Sequence, residues 1–220
     1  MQRLVLATAC LVIVTGSGLA LDRSPDPVPI EILDNPKPEH VPTLIRALNG
    51  SGCRPKHTRA GDALVQIGKP SVEPLVRRLK SSSTWSAQLE CVYLLALIGP
   101  DAADAAEDLE EWLESKRHPL PRKYGEVALV AARGDVDGLI EIMLKGETGA
   151  TPLAGEILSR DRTLTPTETQ IQRLRKLTSP PRRLATRQAA RSVLRSLQNR
   201  KNAGRPKVAA VETEAPKQTD

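Results

Sequence analysis

The sequence predicts an all-α protein, a solenoid of four to five antiparallel helix pairs, and three observations support this. Residues 41–48 (VPTLIRAL) recur as residues 72–79 (VEPLVRRL), 31 positions later. The phrase at 63–68 (ALVQIG) returns at 94–99 (LLALIG) with the same offset. The chain has no Phe, two Trp and two Tyr, so its core must be aliphatic, which suits closely packed helices. A fixed period of about 20–50 residues is typical of solenoids, whose units are stable only when stacked.

The N-terminus has the pattern of an export signal, and residues 1–20 are predicted to be a signal peptide. A single arginine precedes an apolar run over residues 4–14, and Gly18 and Ala20 supply small side chains for cleavage after Ala20. Two alternatives stay open, an uncleaved membrane anchor and a lipid attached at Cys10. The mature chain is therefore expected to be secreted or periplasmic.

Residues 21–39 are rich in Pro and Asp and lack a helical period, so this segment is predicted to be an extended linker. From residue 40 to 145 apolar residues recur at helical spacing, and Gly, Pro or Ser residues separate the stretches. Asp101 is a candidate N-cap, and the period loosens after Gly146. The predicted helices cover residues 41–48, 60–67, 72–79, 86–98, 101–113, 124–133 and 136–144.

The repeated phrase resembles HEAT repeats, in particular their short PBS-lyase-like class. The family pattern is an Arg, then small residues, then Ala-Leu-x-x-Ile-Gly, followed by a second helix with regularly spaced Leu. The residues that match it best are Arg59, Ala60, Ala63, Leu64, Ile67 and Gly68. The resemblance covers about residues 40–145; the fourth unit departs from it, because residues 132–134 (Ala-Arg-Gly) replace the Ile-Gly ending.

The resemblance implies a curved array whose concave face binds proteins, as in most members of the family, without a cofactor. A minority of related proteins are lyases that attach bilin pigments to antenna proteins. No residue set in this chain matches such an activity, so a bilin-lyase-like enzyme is the third alternative.

Residues 146–201 are predicted to form terminal helices, the last of which caps the array. Residues 165–168 (Thr-Pro-Thr-Glu) have the pattern of a capping box, and an apolar row at 171, 174 and 177 follows it. A second helix is predicted from Arg182 to about Gln198. Residues 202–220 are predicted to be a disordered tail, because bulky apolar residues are scarce beyond Gly204.

Charge is strongly segregated along the chain. Twelve Lys/Arg and no Asp/Glu lie between Arg173 and Lys207; since the net charge is +6, the remainder of the chain carries −6. The candidate contacts to an anionic partner are Arg182, Arg183, Arg187, Arg191, Arg195, Arg200 and Lys201.

Two interpretations of this basic end stay open. It is either a solvated face neutralised by acidic neighbours at 104–111, or a docking site for anionic lipid, an envelope polymer or an acidic protein. Nucleic acid is disfavoured by the predicted export and by the scarcity of aromatic side chains for base stacking.

No catalytic, metal or cofactor site is predicted. The chain lacks G-x-S-x-G, H-E-x-x-H and a phosphate-binding Gly loop. Its His residues are isolated, and the carboxylates at 107–111 are read as a solvated helix face. Cys53 and Cys91 could pair in an oxidising compartment, although spacing does not establish their geometry. The predicted function is a non-catalytic protein–protein interaction module that acts outside the cytoplasm.

Overall fold

The protein is all-α. The computed structural model describes residues 28–48, 58–115 and 119–203, among which no strand occurs. The predicted all-α class is thus confirmed. The helices are α1 (Ile30–Asp34), α2 (Val41–Ala47), α3 (Arg59–Ile67), α4 (Val72–Ser81), α5 (Trp85–Ile98), α6 (Ala106–Ser115), α7 (Pro119–Ala132), α8 (Val136–Lys145), α9 (Ala150–Arg160), α10 (Glu168–Leu177) and α11 (Leu184–Ala203).

Local chemistry sets several of these limits. Thr58 precedes α3 and Asp135 precedes α8, and each side chain accepts a hydrogen bond from the N–H three residues later, at 3.0 and 2.9 Å. Gly68 and Gly99 end α3 and α5 with φ of 72° and 68°, a conformation that costs little only for glycine. Both are the glycine of the repeated Ile-Gly phrase, so the repeat marks true helix ends.

The odd-numbered helices from α3 onward pack on one another in chain order, α3 on α5, α5 on α7, α7 on α9 and α9 on α11. Each also packs against the even-numbered helix that precedes it in the chain, namely α2, α4, α6, α8 or α10. Contacts additionally reach from α5 to α9. Helix α5 therefore contacts both its neighbour α7 and the following odd-numbered helix, α9.

Helix α5 is the centre of the core. Every residue from 87 to 98 is buried, whereas the sequence pattern predicted one apolar stripe on this helix. It contacts α3, α4, α7 and α9, which leaves its second half without a face to solvent. A helix that is apolar all round is buried on all sides, and residues 91–98 of α5 meet that description.

The predicted starts of α7 and of α6 are wrong. Helix α7 begins at Pro119, ahead of the predicted start at Tyr124, because proline is tolerated in the first turn and Leu120 packs against the core. Asp101 is not an N-cap; it lies inside a 3₁₀ segment, Gly99–Ala105, that leads into α6.

Helices α1 and α9 were not predicted. Helix α1 lies in the expected linker, where Ile32 and Leu33 pack against the core. Helix α9 lies where the repeat period loosens, and most of its residues are buried. Its polar face, at residues 156, 159 and 160, is narrow, and Pro152 and Gly155 are residues that weaken a helix prediction, so the sequence does not readily reveal α9.

The capping box of α10 lies two residues later than predicted. The N–H of Gln170 donates to Thr167 Oγ1 at 3.3 Å, and Gln170 Oε1 accepts from the N–H of Thr167 at 2.8 Å. Thr-x-x-Glu at 165–168 and Thr-x-x-Gln at 167–170 both fit the pattern, and the structure uses the second.

Candidate functional site

The basic residues singled out by the sequence lie on and just before α11, the last helix of the described chain. Residues 178–183 form the turn from α10, and α11 then runs to Ala203, two residues into the predicted tail. Its inner face buries Thr186, Ala190 and Val193. The opposite face is open to solvent and carries most of the charge.

Helices α9 and α11 approach closely because small residues face each other. A Cβ on Gly155 would lie 2.8 Å from Cβ of Ala189, so the contact leaves no room for a larger side chain. Further along, Ser196 Oγ donates to the carbonyl of Ser159 at 2.6 Å. The two helices are thus joined by packing at one point and by hydrogen bonding at another.

A groove of about 490 Å³ runs between the solvent sides of α9 and α11. Glu156 and Arg160 bring opposite charges to its α9 side. The other lining residues are small, proline or amide side chains: Pro152, Gly155, Ser159, Ala185, Gln188, Ala189 and Ser192. The groove is therefore lined mostly by small side chains and is open to a side chain of a partner.

Three of the seven predicted anion contacts are used inside the fold. Arg200 Nη2 donates to the carbonyl of Ser159 at 2.8 Å, at the end of α9. Arg183 Nη1 donates to Gly146 O at 3.2 Å, just past α8. Arg191 Nη2 reaches Thr178 O at 3.4 Å, just past α10. Cations favour the negative ends of helices, so these arginines cap earlier helices of the chain.

The other four members of the predicted set differ in exposure. Arg182, Arg195 and Lys201 are exposed, whereas Arg187 is half-buried. Nε of Arg187 is buried and has no hydrogen-bond partner within the described residues. A buried donor without a partner is costly.

In the described part of the chain, the acidic neighbours at 104–111 form no direct ion pair with α11. Within the described ranges, none of the seven basic residues forms an ion pair with a carboxylate. The acidic neighbours pair elsewhere: Asp104 with Lys69, Asp108 and Glu111 with Lys80, and Glu110 with Arg133. Of the seven basic residues, Arg183, Arg191 and Arg200 therefore meet carbonyl oxygens, and the others have no direct carboxylate partner in the described ranges.

The same capping device occurs earlier in the chain. Arg78, on α4, donates to the carbonyl of Leu48 at the end of α2, and Ser71 Oγ donates to Leu64 O at 2.9 Å at the end of α3. Sequence analysis missed this role because the acceptor carbonyl of Arg78 lies 30 residues away. The repeat gives no signal for this role, because the position equivalent to Arg78 in the earlier copy is Ala47.

A second cleft, of about 420 Å³, lies between α3, the end of α5 and the end of α9. Asp62, Asp101, Arg160 and Asp161 contribute its charged lining. Asp161 is held in place because its Oδ1 accepts from the N–H and Oγ1 of Thr163, both at 2.7 Å. Among the described residues no cluster of three His, Cys, Asp or Glu side chains is arranged to hold a metal ion.

Two buried side chains have raised pKa values. Burial raises the pKa of the Cys91 thiol to about 12, and this cysteine is a free thiol inside α5. Burial, and then the neighbouring Glu156 carboxylate, raises the pKa of Tyr93, whose hydroxyl lies 3.4 Å from Glu156 Oε2. Both groups are protonated at neutral pH, and neither is an activated nucleophile.

Several predictions fall on parts of the chain that the structure does not describe. The signal peptide, Cys53 and the tail from residue 204 lie outside the described residues. In the part that is described, no helix combines the length and apolarity needed to cross a bilayer.

Comparison with known proteins gave no match: no protein-family model, no curated protein and no solved structure matches this chain.

Proposed function

We propose that this chain is a non-catalytic interaction module, a HEAT-like solenoid of four to five helix pairs that binds a protein partner outside the cytoplasm. The chain-order packing of α3, α5, α7, α9 and α11, each also in contact with the even-numbered helix before it, supports the solenoid. Stacked helix pairs form extended surfaces that bind partners without chemistry at a reacting centre.

The partner site is the groove between α9 and α11. In a solenoid of this kind the odd-numbered helices would line the concave face, but the second half of α5 has no exposed face. The groove, by contrast, is open and lies on the same row of helices. The open groove of about 490 Å³ between these two closely packed helices is the observation that carries the proposal.

A pull-down with matched variants tests this proposal. The mature chain, from Leu21, is used as bait in nuclease-treated native envelope extract, and captured proteins are identified by mass spectrometry. Gln188→Trp fills the groove, whereas Gln198→Trp places the same side chain on the exposed part of α11 outside it. We expect one near-stoichiometric protein to survive a high-salt wash and to be lost only with Gln188→Trp.

Equal capture by both variants would exclude the groove as the binding site. Loss with both variants would indicate that α11 as a whole, and not the groove, is the contact.

A second candidate function is docking of an anionic partner through α11. The absence of carboxylate partners for the seven basic residues, within the described residues, favours it. Exposed charges attract an anionic surface over about one Debye length, roughly 10 Å at 0.1 M salt. High salt should then release everything captured, whereas a groove-bound protein should remain.

Charge variants separate the two candidates further. Arg182→Ala with Arg195→Ala removes two exposed positive charges that form no ion pair among the described residues. Weaker capture at low salt is expected if α11 docks an anion, and unchanged capture would leave the groove as the site.

Export is part of the proposal and has its own test. If residues 1–20 are a cleaved signal, protein recovered from its native compartment should begin at Leu21, as determined by N-terminal sequencing. An intact N-terminus on membrane-bound protein would instead establish the uncleaved anchor, and a lipid on Cys10 the third alternative.

A further inference from the structure

We infer that the exposed face of α11 docks on α6 of a second copy of this chain. This inference rests on the anionic-docking proposal for α11 and names the partner of that surface. Both halves of the contact are present on one molecule, and each half has too much charge of one sign for its neighbours to neutralise.

The basic half is a row of arginines on α11. Arg187, Arg191 and Arg195 follow one another at a spacing of four residues, which places them along one side of the helix. Arg195 is exposed, and Arg191 has only the 3.4 Å contact to a carbonyl oxygen. No carboxylate of the described chain reaches this row.

The acidic half lies on α6 and the turn before it. Residues 101–114 contain seven Asp/Glu and no Lys/Arg. Three cations from other elements, Lys69, Lys80 and Arg133, pair with some of these carboxylates. More negative charges remain than these cations neutralise, so the strip carries excess negative charge at the protein surface.

The two rows match in spacing. Glu107, Glu111 and Glu114 are all exposed and lie on one side of α6, three or four residues apart; Glu111 in the middle of this row also pairs with Lys80. Four residues of an α-helix advance about 6 Å, so the carboxylates of α6 and the guanidinium groups of α11 repeat at nearly the same interval. Two such helices laid side by side bring several opposite charges together at once.

The contact joins unlike surfaces, so it is heterologous and can be tested by complementation. Individual exposed ion pairs contribute little, and salt screens them. The association is accordingly weak, and it is strongest at low ionic strength.

Sedimentation of the full mature chain tests the inference. At about 10 mM salt, where the Debye length is roughly 30 Å, we expect the weight-average mass to rise with concentration. It should return to the monomer value at about 0.3 M salt. Association at low salt that persists unchanged at high salt would overturn the charge-based contact.

Two charge-reversed variants then locate the surfaces. Arg182→Glu with Arg195→Glu reverses two exposed charges just before and on α11 that cap no helix, and Glu107→Lys with Glu114→Lys reverses α6 without touching the carboxylates that pair with Lys80. The self-association of each variant should be weaker than that of the wild type by a factor of about ten or more. An equimolar mixture of the two should recover an association, because each supplies the surface that the other needs.

A matched control has the same change in net charge at other sites. Lys37→Glu with Lys145→Glu reverses two exposed positive charges away from α11, and it should associate like the wild type. Wild-type protein that stays monomeric at low salt, a control that loses association equally, or a mixture that fails to recover it would each overturn the inference. The underlying anionic-docking proposal fails separately, in the pull-down from envelope extract: it is wrong if the α11 variant captures as much as the wild type does.

Discussion

Replacing Arg200 tests whether this residue stabilises the fold by capping α9 or contacts an anionic partner. Sequence analysis placed Arg200 among the contacts to an anionic partner. In the structure its Nη2 donates to the carbonyls of Ser159 and Leu158 at 2.8 and 3.4 Å, at the end of α9. Arg200→Met keeps most of the aliphatic stem and removes the donors and the charge, so it isolates the capping role.

The expected loss is about 2 kcal/mol of unfolding free energy. A hydrogen bond from a charged donor contributes about 1.5–3 kcal/mol, and a cation at a helix C-terminus about 0.3–1 kcal/mol. The carbonyl of Ser159 keeps the Ser196 hydroxyl as a donor, and the contact to Leu158 is long, so the hydrogen-bond contribution is at the low end of its range. For a domain of this size, 2 kcal/mol lowers Tm by about 4–8 °C.

The assay is urea unfolding followed by circular dichroism, with Arg195→Met as the matched control. Arg195 is exposed on the same helix, and its replacement should change the unfolding free energy by less than about 0.5 kcal/mol. Both variants should keep the wild-type m-value. If Arg200→Met were as stable as Arg195→Met, the capping assignment would be wrong and Arg200 would return to the candidate contacts.

Two further outcomes are expected from the fold. Gly99→Ala should destabilise the protein by about 1–2 kcal/mol, because Gly99 has a φ of 68° and a new Cβ would lie 2.9 Å from Asp161 Oδ2; a urea midpoint equal to the wild type would contradict this. Burial raises the pKa of Cys91 from 9.0 to about 12, so between these values the folded chain keeps a proton that the unfolded chain loses. The contribution of the protonated Cys91 thiol to the free energy of unfolding is therefore complete below about pH 9 and is lost progressively toward about pH 12. Cys91→Ala should show a shallower decline in urea unfolding between about pH 8 and 10.5, and an equal decline would show that the thiol does not contribute.

The repeated phrases predicted the early helices well. The expected helix at 86–98 is α5 (Trp85–Ile98), and that at 72–79 falls within α4 (Val72–Ser81). These predictions depend on spacing of apolar residues within one turn or two and on the glycine that ends the helix. Such signals lie within one helix, so they can be recognised without knowing which other helices pack against it.

The predictions for the C-terminal part were less successful because its determinants are not local. Helix α9 is packed by α8 and α11 on different sides, which leaves it only a narrow polar face at residues 156, 159 and 160, and Pro152 and Gly155 interrupt the helical signal in its sequence. The small residues Gly155 and Ala189 are ordinary in isolation and acquire meaning only because the two helices meet there.

Local pattern was enough to establish the all-α class, the limits of most early helices and the concentration of positive charge between residues 173 and 207. Each of these depends on residues a few positions apart or on composition. The division of that charge into helix caps and an open face depends on which carbonyl lies beside which guanidinium, up to 42 residues away in the chain. Only folding brings such distant groups together, so Arg200 became a cap and Arg195 stayed exposed for reasons that neither side chain carries in its own sequence neighbourhood.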